Sequence, residues 1–220
     1  MNEKYLSFLI SELIFTIDDL EINQKQEITS KYDETFGELE SIAEELNLNI
    51  RILRRKIELI NTHTPQDVEE IIKKEFKEEE KSEEVQEINT KVDKKELDDI
   101  YREIINRVSP VLYDFSHEDF DKIKEHYKNK DLESLRKIKK ELPKLSLKLS
   151  EEELEETRED LEYKIAFILK EFPFNQMELL ENHDAVVYNL QKLEQLCEDY
   201  KMMYASLQEE YNLKAARFSY

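Results

Sequence analysis

The sequence has very little glycine, proline, cysteine or tryptophan. Its 220 residues include a single glycine, Gly37, four prolines, one cysteine and no tryptophan. Strand-connecting turns depend on glycine and proline, so few such turns are expected. A phosphate-binding loop needs several glycines and is excluded. The single cysteine, Cys197, excludes both a disulfide framework and a cysteine-based metal cluster. Together these absences predict an all-α fold.

Basic residues are also under-represented. Lys and Arg number 33 against 53 Asp and Glu, which gives a formal net charge of −20. Nucleic acids and anionic membranes both attract basic patches, so the sequence predicts neither as a partner. The apolar stretch at residues 5–17 is too short to span a bilayer and runs into Asp18 and Asp19. The N-terminus carries no cleavage signature, so we expect a cytoplasmic protein.

Apolar residues recur in alternating steps of four and three, which is the a/d seam of a coiled coil. Helices of this kind bind by presenting a surface, and they are poorly suited to enclosing a small molecule. The three clearest seams are Leu6, Ile10, Leu13, Ile17 and Leu20; Leu39, Ala43, Leu46, Ile50, Leu53, Ile57 and Ile60; and Val186, Leu190, Leu193, Cys197, Tyr200, Tyr204, Leu207 and Tyr211.

The order of these seams predicts two helical hairpins. Residues 31–37 end at the lone glycine and are interpreted as a reversal, which would fold residues 38–61 back onto residues 2–30. An acidic stretch, 75–87, is the best candidate for a linker. The full prediction is all-α, with two long antiparallel coiled-coil hairpins flanking an acidic linker and a small helical module. The predicted boundaries are 1–62, 63–92, 93–143 and 144–220.

Good N-cap residues mark several helix starts within this plan. A short polar side chain at the N-cap accepts a hydrogen bond from the first turn. Ser150 with Glu153 and Thr64 followed by Pro65 are the clearest examples. The predicted N-caps are Thr64, Asp93, Ser116, Asp131 and Ser150.

No group of residues has the spacing that catalysis or metal binding requires. The four histidines lack a second histidine at helical spacing, and Asp114-x-x-His117 is a single, incomplete match to the Glu-x-x-His pairs of di-iron bundles. We therefore predict no catalytic residues, no metal and no cofactor.

Two surface features are candidate partner sites. The basic patch Arg51, Arg54, Arg55 and Lys56 could bind an acidic partner, although pairing with acidic helices of the same molecule or of a dimer is favoured. Phe172 and Phe174 flank Pro173 and could form a docking knob or a hinge plug. Core packing is the favoured alternative for these rings.

The middle of the chain resembles a J domain. Residues 97–110 (LDDIYREIINRVSP) resemble helix II running into the His-Pro-Asp loop, and residues 115–135 resemble helix III followed by the Asp-Leu-Glu-x-Leu phrase of bacterial DnaJ-like coiled-coil proteins. Residues 32–60 and 172–180 resemble the flanking hairpins of that group. The resemblance therefore implies a J-like fold at 93–143 and a chaperone-related partner.

The motif itself departs from the family. Ser109, Pro110 and Val111 stand where the resemblance expects His, Pro and Asp, and Asp114 could be a displaced acidic residue. Docking in the family uses a basic helix II, whereas Arg102 and Arg107 here lie among acidic residues.

We therefore expect a non-enzymatic adaptor that binds a protein partner and does not stimulate a DnaK-type ATPase. Two alternatives remain, a self-associating coiled-coil structural protein, which would be a homodimer, and an acidic inhibitor or DNA mimic.

Overall fold

The computed structural model describes residues 3–76 and 93–218. These residues are mostly helical and contain no β-strand, so the predicted all-α class is confirmed; one isolated bridge joins Tyr113 to Leu147. The α-helices are α1 (Glu3–Asp19), α2 (Lys25–Tyr32), α3 (Glu38–Leu59), α4 (Pro65–Glu75), α5 (Lys94–Val108), α6 (His117–Lys128), α7 (Leu132–Glu141), α8 (Glu151–Ile168), α9 (Met177–Glu181) and α10 (His183–Ala215). None of them is both long enough and apolar enough to cross a bilayer.

The predicted reversal at residues 31–37 is wrong. Two π-helical segments, Leu20–Gln24 and Asp33–Gly37, join α1 to α2 and α2 to α3, so the backbone stays helical from Glu3 to Leu59. Gly37 has φ −57° and ψ −37°, which are ordinary helical values. A glycine within a helix is tolerated when packing favours the helix, because its cost is only about 1 kcal/mol.

The chain divides into two compact units, and each is built from segments distant in sequence. Unit 1 comprises residues 1–29 and 85–177, and unit 2 comprises 30–84 and 178–220. Each predicted hairpin, 1–62 and 144–220, is thus divided between both units. The small module, 93–143, lies within unit 1. Part of the predicted acidic linker, residues 77–92, lies outside the described residues.

Unit 1 is built around α1. This helix packs against α5 and α8, while α5 also packs against α6 and α7. Lys164, near the end of α8, pairs with Glu21, just beyond α1, at 3.5 Å, so α1 and α8 run in the same direction. The buried core of unit 1 consists of Leu6, Ile10, Ile14, Phe15, Leu97, Ile100, Tyr101, Ile104, Ile105, Val108, Leu112, Phe120, Ile123, Tyr127, Leu135 and Leu154.

Unit 2 is built around the pairing of α3 with α10. The Cys197 thiol donates to the Leu39 carbonyl at 3.6 Å, and further along both helices the Lys56 ammonium lies 5.9 Å from the centre of the Tyr211 ring. The two helices therefore run parallel. Their predicted seams face each other, whereas the predicted antiparallel partners, α1 for α3 and α8 for α10, belong to unit 1.

All five predicted N-caps are confirmed. Asp93 accepts from the first turn of α5, Ser116 from that of α6 and Asp131 from that of α7. Thr64 and Ser150 form reciprocal capping boxes with Asp67 and Glu153. These short-range signals hold because each depends only on atoms within one helical turn.

Candidate interaction surfaces and a buried polar network

The Ser109–Pro110–Val111 loop is largely buried within unit 1. Asp98 in the first turns of α5 contacts Tyr127 at the end of α6, so these helices run antiparallel with the loop at one end. Ser109 and Pro110 are buried. The Ser109 amide donates to the Ile105 carbonyl at 3.0 Å, and its hydroxyl accepts from the Val111 amide at 3.4 Å. The serine thus stabilises the end of α5.

The extended segment after α7 covers this loop. The Lys148 ammonium donates to the Pro110 carbonyl, and the Lys148 amide donates to the Leu112 carbonyl at 3.0 Å. Tyr113 forms the bridge to Leu147 and donates its hydroxyl to the Asn106 carbonyl at 2.8 Å. Burial raises the pKa of the Tyr113 hydroxyl, which keeps it protonated as a donor. Asp114 is exposed just beyond this covered stretch.

Arg102 and Arg107 are engaged within unit 1. The Arg102 guanidinium pairs with Glu12 of α1 and lies 3.9 Å from the centre of the Phe15 ring. Arg107 donates to the carbonyls of Lys139 and Leu142 at 3.2 and 3.4 Å. Both side chains therefore attach α5 to its neighbours, and neither is free to dock a partner without losing those contacts.

The basic patch of α3 is only partly neutralised. Arg55 makes a bidentate pair with Glu75 of α4, with two distances of 2.9 Å, and Lys56 pairs with Glu69 at 2.6 Å. The Arg55 guanidinium lowers the pKa of the Glu75 carboxyl. This part of the patch follows the favoured prediction, in which it pairs within the molecule.

Arg51 and Arg54 differ from their neighbours. Both are exposed, and Arg54 donates to the Met203 thioether at 3.2 Å. Neither arginine contacts a carboxylate within residues 3–76 and 93–218. These two side chains are the part of the predicted patch that stays available to a partner.

The two phenylalanines around Pro173 have different environments. Phe174 is only 5% exposed and starts a short 3₁₀ turn, as the core-packing alternative predicts. Phe172 is 49% exposed. Docking through both rings together would require Phe174 to leave its buried position.

The most elaborate polar site was not found from the sequence. Asp18 and Asp19, at the end of α1, are 3% and 8% exposed. Asp18 accepts from the Tyr101 hydroxyl and from the Lys124 ammonium, both at 2.8 Å. A buried carboxylate is tolerated when it is paired and hydrogen-bonded, and both conditions are met here.

The Asp19 carboxylate accepts hydrogen bonds from side chains of the adjoining π-helical segment. Asn23 donates to one of its carboxylate oxygens at 2.8 Å and Gln24 to the other at 2.6 Å. Gln24 follows Asp19 by five residues, which is the hydrogen-bonding step of a π-helix. The Asn23 amide also donates to the Tyr127 hydroxyl, which in turn donates to Asp98 at 2.8 Å. The π-helical segment therefore brings polar groups to one end of the core.

The tyrosines at this site are structural. The rings of Tyr101 and Tyr127 stack with centres 4.1 Å apart and an interplanar angle of 11°. Burial, reinforced by the neighbouring aspartates, raises the pKa of both hydroxyls. Burial also raises the pKa of the Asp98 carboxyl, although the Tyr127 hydroxyl opposes the shift. Both phenols thus stay protonated and hold α5 and α6 against α1 as hydrogen-bond donors.

The described residues contain no group of three or more His, Cys, Asp or Glu side chains placed to hold a metal ion. Asp114 and His117 therefore form no such site. Cys197 is buried in the α3–α10 seam.

No family model, curated protein or solved structure matches this chain.

The clearest exposed apolar surface of unit 1 lies on α8. Tyr163 and Phe167, one helical turn apart, are 76% and 55% exposed. Leu154 and Leu161 of the same helix contact the core, so the two rings point away from it. Large aromatic side chains exposed side by side are typical of protein-binding surfaces. We call Tyr163 and Phe167 the α8 aromatic pair.

Proposed function

We propose that this chain is a non-enzymatic adaptor that binds another protein through exposed helix surfaces. In this proposal the J-like module, residues 93–143, assembles unit 1 and does not activate an ATPase. The observation that carries the proposal is the buried Ser109–Pro110 loop, which Lys148 covers. A loop with this chemistry offers a chaperone neither the histidine nor the aspartate that the J-domain resemblance associates with coupling.

The contacts of α5 support the same conclusion. Arg102 and Arg107 are engaged by α1 and by the α7 region, so they hold unit 1 together. The α8 aromatic pair supplies exposed apolar area for a partner. Self-association through the predicted seams is the weaker proposal, because the α3 and α10 seams already face each other within one chain.

The first test is a steady-state ATPase assay with a DnaK-type chaperone. We expect the full chain to leave the ATP hydrolysis rate within about twofold of the chaperone alone. This limit corresponds to a change of less than about 0.5 kcal/mol in the activation barrier. A working J-domain protein serves as the positive control. Robust stimulation that disappears in Pro110→Ala would overturn the proposed loss of activity.

The second test addresses protein binding directly. Immobilised full chain would be compared with the double variant Tyr163→Ser/Phe167→Ser in capture from a cell lysate, followed by mass spectrometry. Exposed aromatic anchors at interfaces each contribute more than about 1 kcal/mol, so recovery of a specific partner should fall about tenfold or more. Folding should be unaffected, because exposed side chains contribute little to stability.

The matched control for this test is Tyr188→Ser/Leu213→Ser on α10. It removes a tyrosine and a leucine of unit 2 that are 56% and 68% exposed. It should retain the partner that the α8 variant loses. If both variants capture the same proteins as the unaltered chain, the α8 aromatic pair is not a docking surface.

A further inference from the structure

We propose that one edge of unit 2 binds an acidic amphipathic helix of another protein. We call it the arginine–methionine edge, and it comprises Arg51 and Arg54 of α3 with Leu196 and Met203 of α10. The inference rests on the proposed function in protein binding, but it assigns a different surface and a defined partner chemistry.

The four side chains share one edge because of helix geometry. The Arg54 side chain reaches back along α3 to the Met203 thioether, at 3.2 Å, and so places both residues on the same edge of the helix pair. Arg51 precedes Arg54 by three residues and Leu196 precedes Met203 by seven, so each pair lies on one face of its helix. Since α3 and α10 run parallel, Arg51 and Leu196 both lie on the N-terminal side of the Arg54–Met203 contact, and Leu196 is about two helical turns from Met203. The result is a mixed strip of charge and apolar surface.

The charge of the strip is unusual for this molecule. The whole chain carries −20, and Arg55 and Lys56, in the same patch, are neutralised by α4. Arg51 and Arg54 have no carboxylate partner among the described residues. Asp199, on the same stripe of α10, accepts from Gln195 at 2.9 Å and pairs with neither arginine, so the strip holds two guanidinium groups against one carboxylate. Two guanidinium groups are thus available, and their planar donors suit bidentate recognition of carboxylates.

The apolar half of the strip explains why the partner should be amphipathic. Leu196 is 37% exposed and Met203 is 39% exposed. Methionine is flexible and polarisable, so it adapts to the shape of an incoming apolar side chain. A helix with Asp or Glu on one side of an apolar stripe would pair its carboxylates with the arginines and bury its apolar side chains on Leu196 and Met203.

The test is a fluorescence anisotropy titration of the full chain with labelled synthetic peptides. The probe is a helical peptide with leucines at i, i+3, i+4 and i+7 and glutamates on the flanking positions. A second peptide carries lysine in place of each glutamate, and a third is a scramble of the first. We expect the acidic helical peptide to bind and the other two to bind at least about tenfold more weakly.

Charge reversal identifies the site. Arg51→Glu/Arg54→Glu should weaken binding of the acidic peptide about tenfold or more, because two favourable surface pairs become repulsive. Leu196→Gln/Met203→Gln should weaken it severalfold and leave its salt dependence unchanged. The matched control Lys73→Glu/Lys74→Glu makes the same change in net charge on exposed residues of α4 and should stay within about twofold. Circular dichroism would verify the helix content, and Arg51→Gln/Arg54→Gln provides a milder variant.

Three outcomes would overturn the inference. Equal losses in the α3 and α4 charge reversals would mean that binding follows net charge alone. Unchanged binding by Arg51→Glu/Arg54→Glu would place the peptide elsewhere. A dimer in sedimentation velocity that Arg51→Glu/Arg54→Glu dissociates would make a second copy the occupant. If the lysate capture depends on the α8 pair while the peptide fails to bind, the adaptor proposal survives and only this edge is rejected.

Discussion

Replacing Asp18 with alanine is expected to destabilise unit 1 by about 3 kcal/mol. The substitution leaves the buried Tyr101 hydroxyl without its acceptor and the Lys124 ammonium without its carboxylate. Removing one partner of a buried ion pair costs about 3–5 kcal/mol. The lower end applies here because the Lys124 side chain is 35% exposed and can be rehydrated. Hydrogen exchange of the α5 and α6 amides in the full chain would measure the loss within unit 1.

Two matched variants separate the network from general effects of substitution. Tyr101→Phe keeps the ring stack with Tyr127 and removes only the hydroxyl, so it should cost about 1 kcal/mol. The double variant Asp18→Ala/Tyr101→Phe should cost less than the sum, because both substitutions remove the same hydrogen bond. Asp160→Ala, at an exposed carboxylate of α8, should change stability by less than about 0.5 kcal/mol. A loss in Asp18→Ala no larger than in Asp160→Ala would mean that Asp18 is solvated.

Periodicity and N-caps were predicted well because both are local. The seams of α3 and α10 do form the face between those helices, with Ile50, Leu53 and Ile57 buried and the α10 residues mostly half-buried. A periodic stripe determines which face of a helix is covered. It carries no information about which helix covers it, or in which direction that helix runs. Proximity in sequence favours antiparallel hairpins, whereas the structure pairs helices about 150 residues apart in parallel.

The Asp18 network was missed for a related reason. A sequence does not distinguish a buried aspartate from a solvated one, and its partners Tyr101 and Lys124 lie 83 and 106 residues away. One signal was present. Tyr101 has the helical spacing of its apolar neighbours Leu97 and Ile104, and a buried tyrosine hydroxyl needs a hydrogen-bond partner. A search for acceptors near the apolar stripe of α1 would have reached Asp18 and Asp19.

Gly37 provides the sharpest test of the corrected fold. Its backbone is helical, and a Cβ added there would meet the Asp33 Cβ at 3.5 Å, which is an ordinary contact. Gly37→Ala should therefore stabilise unit 2 by about 0.5–1 kcal/mol, because alanine loses less conformational freedom in a helix. Gly37→Pro should destabilise it by about 3 kcal/mol, since the ring clashes with the preceding turn and the N–H is lost. Urea unfolding of the full chain, followed by circular dichroism, would measure both changes.

The opposite signs of these two substitutions discriminate between the helix and a hairpin turn. A reversal at Gly37 with a positive φ would make alanine unfavourable, and a proline beside a turn would be far less costly than one inside a helix. Ser41→Ala, at an exposed position of α3 one turn further on, should give a smaller gain than Gly37→Ala and thus controls for helix propensity alone. If Gly37→Ala destabilises the protein and Gly37→Pro is tolerated, residues 31–37 form a hairpin turn and the continuous helix is wrong. If Gly37→Ala stabilises the protein and Gly37→Pro disrupts it, α3 begins within a continuous helix. The seam of α3 is then free to pair with α10, because it does not fold back onto α1.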